Sequence, residues 1–176
     1  FPQVWVSSFE EKLDSLRRDS ATTIVTATVN EFISLNEPYL TFFLEKKEYK
    51  SISLYVSYVR KSLVDKISRM IRLEKTKGIL PSNDIQDNLE AALKASFYYY
   101  IRYLYNYSQQ LGLSNSHHTA IFFFIRENAY GSMFRYNKKG EFNIPYGGIS
   151  YNRKNLVNKI NRLKSELLLK RLSNTV

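Results

Sequence analysis

Arg135, Lys138 and Lys139 lie in one short stretch with Tyr130, Met133, Phe134, Tyr136 and Phe142. Cations set among rings suit a polyanion that carries flat bases. A guanidinium can give two parallel hydrogen bonds to guanine O6 and N7, worth about 1–3 kcal/mol of discrimination. Lysine ammonium groups meet phosphates, which position a protein without reading sequence. Tyr130 or Met133 could wedge into the base stack beside a base being extruded. Asn137 and Asn143 offer paired donors and acceptors. The plain reading of the same residues is a hairpin with Lys and Gly at its tip for solubility, its rings packed on a helix.

Other chemistries find little here. The chain has no Cys, which excludes disulfides and thiolate metal sites. His117 and His118 are adjacent, so on a helix they point about 100° apart and make a poor start for zinc. Asp84 and Asp87 form a close acidic pair near a helix start, where they complement the helix dipole.

The elements that must position the basic stretch follow from the pattern. FRYN and EFNI read as the arms of a β-hairpin over 133–145, with Lys138, Lys139 and Gly140 at the tip and a loop over 128–133 before it. Pro145, Gly147 and Gly148 end it. Leu89, Leu93, Phe97, Tyr100, Leu104 and Tyr107 recur every three or four residues, giving a helix that starts at Asn83 or Asp84 and stops at Gly112. A second helix runs over 51–75 on Leu54, Tyr58, Leu63, Ile67 and Ile71. Short helices are expected over 9–18 and 116–128, the latter buried on all sides by AIFFFI. A last one, over 155–171, turns Leu156, Ile160, Leu163 and Leu167 inward. The β-branched run ATTIVTATV, 21–29, reads as a strand, followed by a helix capped at Asn30 or Asn36. The expected fold is mainly α: a helical bundle-like domain with one projecting β-hairpin. Residues 1–50 form an N-terminal segment and 51–176 the helical domain.

Of 176 residues, 44% are hydrophobic and 15% aromatic, enough for one folded domain. The net charge is +10, and residues 126–176 hold eleven Lys or Arg against three Glu. That field favours an anionic partner. No apolar run reaches the roughly 18 residues of a membrane span, and FPQVWVSSFEEK lacks the pattern of a signal peptide. A cytoplasmic setting without membrane contact is the expectation. The chain does not begin with Met, which suits a processed or excised piece.

FRYNKKGEFNIPYGG resembles the target-recognition region of Dam-type adenine-specific DNA methyltransferases, where a pattern (Y)xxx(F/C)RYNxxGxFNxPxG is found. Arg135, Tyr136, Asn137, Gly140, Phe142, Asn143, Pro145 and Gly147 stand in register. GGISYNRK, 147–154, is similar to a subgroup found with restriction–modification systems, and YYYIRYLYN, 98–106, to the helix with a Tyr–Arg–Asn pattern that precedes the region. The resemblance covers about 95–155 and is faint before 50. It implies that Arg135 reads a guanine, that Tyr130 inserts near the target base pair, and that Met133 meets a base edge. Asn137, Lys138 and Lys139 then follow the groove of double-stranded DNA, with Arg153 and Lys154 beyond. Gly148 departs from the pattern, since a basic residue often follows the PxG; that puts the recognised sequence in doubt.

The family's chemistry needs S-adenosylmethionine, held by an FxGxG loop, and a (D/N)PP(Y/F) motif beside the flipped adenine. No FxGxG occurs, and Pro2, Pro38, Pro81 and Pro145 are not adjacent to one another. IVTATVNEFI faintly resembles the strand that ends in the acid holding the cofactor ribose, with Thr28 in the acid's place. Positioning of donor and acceptor supplies much of the rate in such transfers. The chain alone is therefore expected not to methylate, and to depend on a catalytic methyltransferase segment or subunit. Two other readings stay open. A sequence-indifferent nucleic-acid binder would stack bases on tyrosines and bind single strands equally well. A helical interaction protein would use its 155–171 face and tolerate charge reversal at Lys138 and Lys139.

Overall fold

Two long helices build the frame. α3 (Ile52–Lys77) places Tyr55, Val59, Leu63 and Ile67 four residues apart, and all four are buried. α4 (Ser82–Asn106) answers with Ile85, Leu89, Leu93, Tyr100 and Leu104. Side chains three or four apart share a helix face, so the two stripes meet along one seam. Tyr55 and Tyr100 close its end away from the α3–α4 turn, edge to face, with ring centroids 5.6 Å apart. Burying each Leu, Ile or Val stabilises the seam by about 1.5–3 kcal/mol.

The computed structural model describes residues 12–19, 21–44, 52–151 and 155–165. Helix α1 covers 12–18 in the described residues, and Leu13 and Leu16 are buried. α2 (Thr22–Thr41) packs on α3, and α5 (Asn115–Asn128) packs on α4. Short 3-10 turns lie at Phe42–Leu44, Tyr130–Ser132 and Ile149–Tyr151, and α6 is Val157–Leu163. The chain is mainly helical, as expected, and no strand occurs among the described residues. A bidentate ion pair joins α1 to α3: Arg17 Nε donates to Glu74 Oε2 (2.9 Å) and Arg17 Nη2 to Oε1 (2.8 Å). Glu74 also accepts from the Leu80 N–H at 3.0 Å, which ties in the α3–α4 turn.

Several expectations are corrected. The β-branched run at 21–29 is helical, not a strand, and Asn30 and Asn36 lie inside α2 rather than capping a helix. Val25, Val29, Phe32 and Ile33 fall on one helical face and all are buried. Burial on that face outweighs β propensity, which spans only about 1 kcal/mol. The Thr26 hydroxyl also donates to the Thr22 carbonyl (2.7 Å), settling the threonine inside a helix. AIFFFI is not buried all round: Ile121 and Ile125 are buried, while Phe122, Phe123 and Phe124 are half-buried. The apolar face of α6 is turned toward α5 but not buried: Leu156, Ile160 and Leu163 line a groove with Ala120, Phe123 and Phe124, and Ile160 and Leu163 stay exposed. Leu167 lies outside the described residues.

In the first turns of α3 the core stripe is Tyr55 and Val59 rather than Leu54 and Tyr58, which are half-buried. α4 begins after Pro81, one residue before Asn83, and ends at Asn106; Gly112, at φ +65°, follows a run of turns.

Candidate nucleic-acid interface

The return arm, 142–146, lies on α4, and its residues alternate. Phe142, Ile144 and Tyr146 are buried, whereas Asn143 is half-buried and Pro145 exposed. Period-two alternation is that of an extended chain with one face on a core. The partner of this arm is mainly the helix. Asn106 Nδ2 donates to the Phe142 carbonyl (3.1 Å), and its Oδ1 accepts from the Phe142 N–H (2.8 Å). The Ile144 carbonyl accepts from Tyr98 Oη and from Arg102 Nη1, both at 2.9 Å. Tyr98, Arg102 and Asn106 are four residues apart, so one helix face supplies all three. The Arg102 guanidinium also lies 4.9 Å from the Tyr99 ring centroid, a cation–π contact that fixes its plane. Sequence reading did not assign these three a role, although polar groups every fourth residue in an apolar helix were a signal.

The outgoing arm is held more lightly. Two isolated antiparallel bridges, Tyr136 with Phe142 and Ala129 with Tyr146, stand where a paired ladder was expected. The helix amide takes up main-chain groups that a longer ladder would use. Phe134 packs against Phe122 (5.3 Å) and Phe142 (5.7 Å), and Tyr136 Oη lies 3.0 Å from Tyr105 Oη. Burial and that hydroxyl contact push the Tyr105 phenol up to about 12.

At the tip, the Gly140 N–H donates to the Asn137 carbonyl (3.0 Å) and the Asn137 N–H to the Glu141 carbonyl (2.9 Å). Gly140 takes φ +77°, a conformation that favours glycine. Asn137 Oδ1 accepts from the Lys139 and Glu141 N–H groups, and Nδ2 donates to Glu141 Oε2 at 2.7 Å. Its carboxamide is thus engaged in shaping the turn. Glu141 also accepts from Tyr107 Oη (2.7 Å); the two hydrogen bonds hold its carboxyl below the usual carboxylate range. Lys138 and Lys139 are exposed, and neither forms an ion pair among the described residues.

Arg135 is exposed, and its Nε donates to Asn143 Oδ1 at 3.1 Å. The Asn143 N–H donates to the Arg135 carbonyl (3.2 Å), so main chain and side chain are both paired across the arms. Among the described residues only Nε is engaged, which leaves the two terminal nitrogens of this exposed side chain without a partner there. Before this, Gly131 (φ +60°) and Ser132 (φ +51°) make two consecutive left-handed residues. For serine such backbone carries about 1 kcal/mol of strain or more. The turn leaves Tyr130 56% and Met133 47% exposed on the same run as Arg135. The loop is closed at its base by Tyr130 N–H to Pro145 O (2.9 Å) and Gly147 N–H to Asn128 O (3.0 Å). A Cβ on Gly147 would lie 2.3 Å from the Tyr151 ring, so that position needs glycine. The structure thus brings Tyr130, Met133, Arg135, Asn137, Lys138 and Lys139 onto one loop; Arg153 and Lys154 lie outside the described residues.

No group of three or more His, Asp or Glu able to hold a metal occurs among the described residues. No helix among them is long and apolar enough to cross a membrane. What the fold and the loop define is a helical scaffold that grips a basic, aromatic loop by its main chain. The chain is similar to the type II methyltransferase M.MjaIII of Methanocaldococcus jannaschii, with 23% identity over 178 residues. The match covers 94% of this chain and 59% of that protein, so the chain spans somewhat over half the length of this relative. No family model and no solved structure matches.

Proposed function

We propose that the chain is the target-recognition part of a site-specific DNA adenine N6-methyltransferase of a restriction–modification system. It reads double-stranded DNA for a catalytic segment or subunit that holds S-adenosylmethionine. The observation that carries the reading is the Arg135–Asn143 pair: an exposed guanidinium aimed by a neighbour that leaves its terminal nitrogens open. In this reading the 133–145 hairpin is a finger that enters the major groove. Arg135 meets guanine O6 and N7, and Lys138 and Lys139 meet phosphates. Tyr130 and Met133 press on the base stack, Asn137 keeps the tip in shape, and Arg153 and Lys154 extend the phosphate contacts. The similarity to a type II methyltransferase supports the family; the finger's chemistry supports DNA as the partner.

S-adenosylmethionine belongs to the complete enzyme. The described residues offer it no strand with a glycine turn at its end, and the sequence has no FxGxG. Labelled cofactor and DNA mixed with this chain alone are expected to give no methyl transfer.

The test is selection of duplexes from a random pool by the chain and by Arg135→Ala. The native chain is expected to enrich one short motif containing a guanine. Arg135→Ala keeps salt-dependent binding and loses enrichment at that base pair. Equal affinity for single strands, with no motif enriched, would establish the sequence-indifferent reading instead.

A further inference from the structure

α3 carries a second cationic site away from the finger. Ser62, Lys66 and Arg69 lie on one face of α3 and line a cleft of about 350 Å³ against α4 and the base of the return arm, at Tyr146 and Gly148. Ala91, Ala92 and Ala95 form the opposite wall, and their small side chains keep the space open. An adjoining cleft of about 320 Å³ shares Lys66 and Arg69 and reaches Ile149. Asp65 lines the first cleft, and Asp84 and Asp87 the second, but none pairs with Lys66 or Arg69 within 4 Å among the described residues.

Lys66 is half-buried, and its Nζ donates to Asn88 Oδ1 at 3.2 Å. Asn88 is held in that orientation because its Nδ2 donates to the Asp84 carbonyl (2.7 Å). The partner is a neutral amide, so the ammonium keeps its charge uncompensated and two N–H donors spare. Desolvation and the Arg69 charge both push the Lys66 ammonium down from its ordinary value. Two like charges one turn apart, with Lys66 half-buried and Arg69 at the cleft's exposed side, favour an anion that joins them.

We infer that the Lys66–Arg69 cleft binds a backbone phosphate of the same duplex that the finger reads. The inference rests on the recognition reading and extends its footprint to α3. Gly148 at the cleft is five residues beyond Asn143, at most about 17 Å along an extended arm. That is about half of the roughly 34 Å helical repeat of DNA, so one duplex is long enough to touch both Arg135 and the cleft. A glycine at that mouth leaves no side chain between the cations and the backbone that approaches.

The test uses the whole chain with the duplex it selects. Plots of log K against log salt are compared for the native chain, Arg69→Gln, Lys66→Gln/Arg69→Gln and Arg69→Lys. The slope is expected to weaken by about 0.9 in the single and about 1.8 in the double variant, and to stay unchanged in Arg69→Lys. Base-pair preference is expected to survive in all of them. If the double variant loses its melting transition, Arg69→Gln decides, since Arg69 is exposed and makes no hydrogen bond or ion pair among the described residues. An unchanged slope beside normal binding by the native chain overturns the cleft site and leaves the finger standing. Absence of salt-dependent duplex binding by the native chain overturns the recognition reading itself. Inorganic phosphate that shifts the Arg69 Nε–H resonance and is not displaced by duplex assigns the cleft to a free anion, which also overturns the inference.

Discussion

Asn106 grips Phe142 by both of its main-chain groups, donating to the carbonyl at 3.1 Å and accepting from the N–H at 2.8 Å. A side-chain amide presents the same donor and acceptor as a peptide unit, so α4 does here what a neighbouring strand would do. Asn106→Ala leaves the two Phe142 groups without that partner. A loss of about 1–3 kcal/mol is expected in denaturant unfolding. In the variant the Phe142 amide exchange should accelerate more than that of the α3–α4 seam amides; equal acceleration of both would contradict the clamp.

In the proposed recognition role Asn143 holds Arg135 through its Oδ1 rather than reading a base itself. Asn143→Ala is expected to reduce discrimination at the guanine position about fivefold, roughly 1 kcal/mol, while affinity for unrelated duplex stays within twofold. Arg135→Ala in the same background should add little further loss of discrimination, because coupled residues are not additive.

Gly147→Ala forces a methyl group onto the Tyr151 ring. The expected penalty is about 1–3 kcal/mol of stability. The Tyr151→Ala background removes the obstacle, so the double variant should recover much of the loss. Equal penalties in both backgrounds would place the strain elsewhere.

Glu74 sets an acid limit. Its side chain is 7% exposed and the Arg17 side chain 23%, and the Arg17 hydrogen bonds hold the Glu74 carboxyl below its ordinary value. A lowered folded-state pKa means that the pair stabilises the fold above the unfolded value of about 4.3, and that this contribution fades as pH falls through the folded value. Thermal unfolding should therefore be level near neutrality and drop below about pH 4. In Glu74→Ala the neutral-pH stability falls by about 1–3 kcal/mol, and the acid limb flattens.

Much of the scaffold is legible in the sequence because it is written as periodicity. Leu89, Leu93, Tyr100 and Leu104 announce α4, and Lys138, Lys139 and Gly140 announce the reversal after Asn137. The α2 region misleads because its threonines and valines favour strands locally, while the partner that buries Val25 and Val29 is α3, some thirty residues away. The clamp is only half legible for a related reason: its spacing shows in the helix, but its target does not. Tyr98, Arg102 and Asn106 bind main-chain atoms, and a main-chain partner leaves no residue type to recognise.

Because α4 holds Phe142 and Ile144 by their peptide groups, the outward positions 135 and 143 owe little to the fold. Residues 135 and 143 can exchange identity with little penalty to the helices beneath, provided the peptide path stays the same. In the proposed recognition role, a scaffold of this kind permits new base preferences to arise by a few substitutions, the way an interchangeable bit fits one handle.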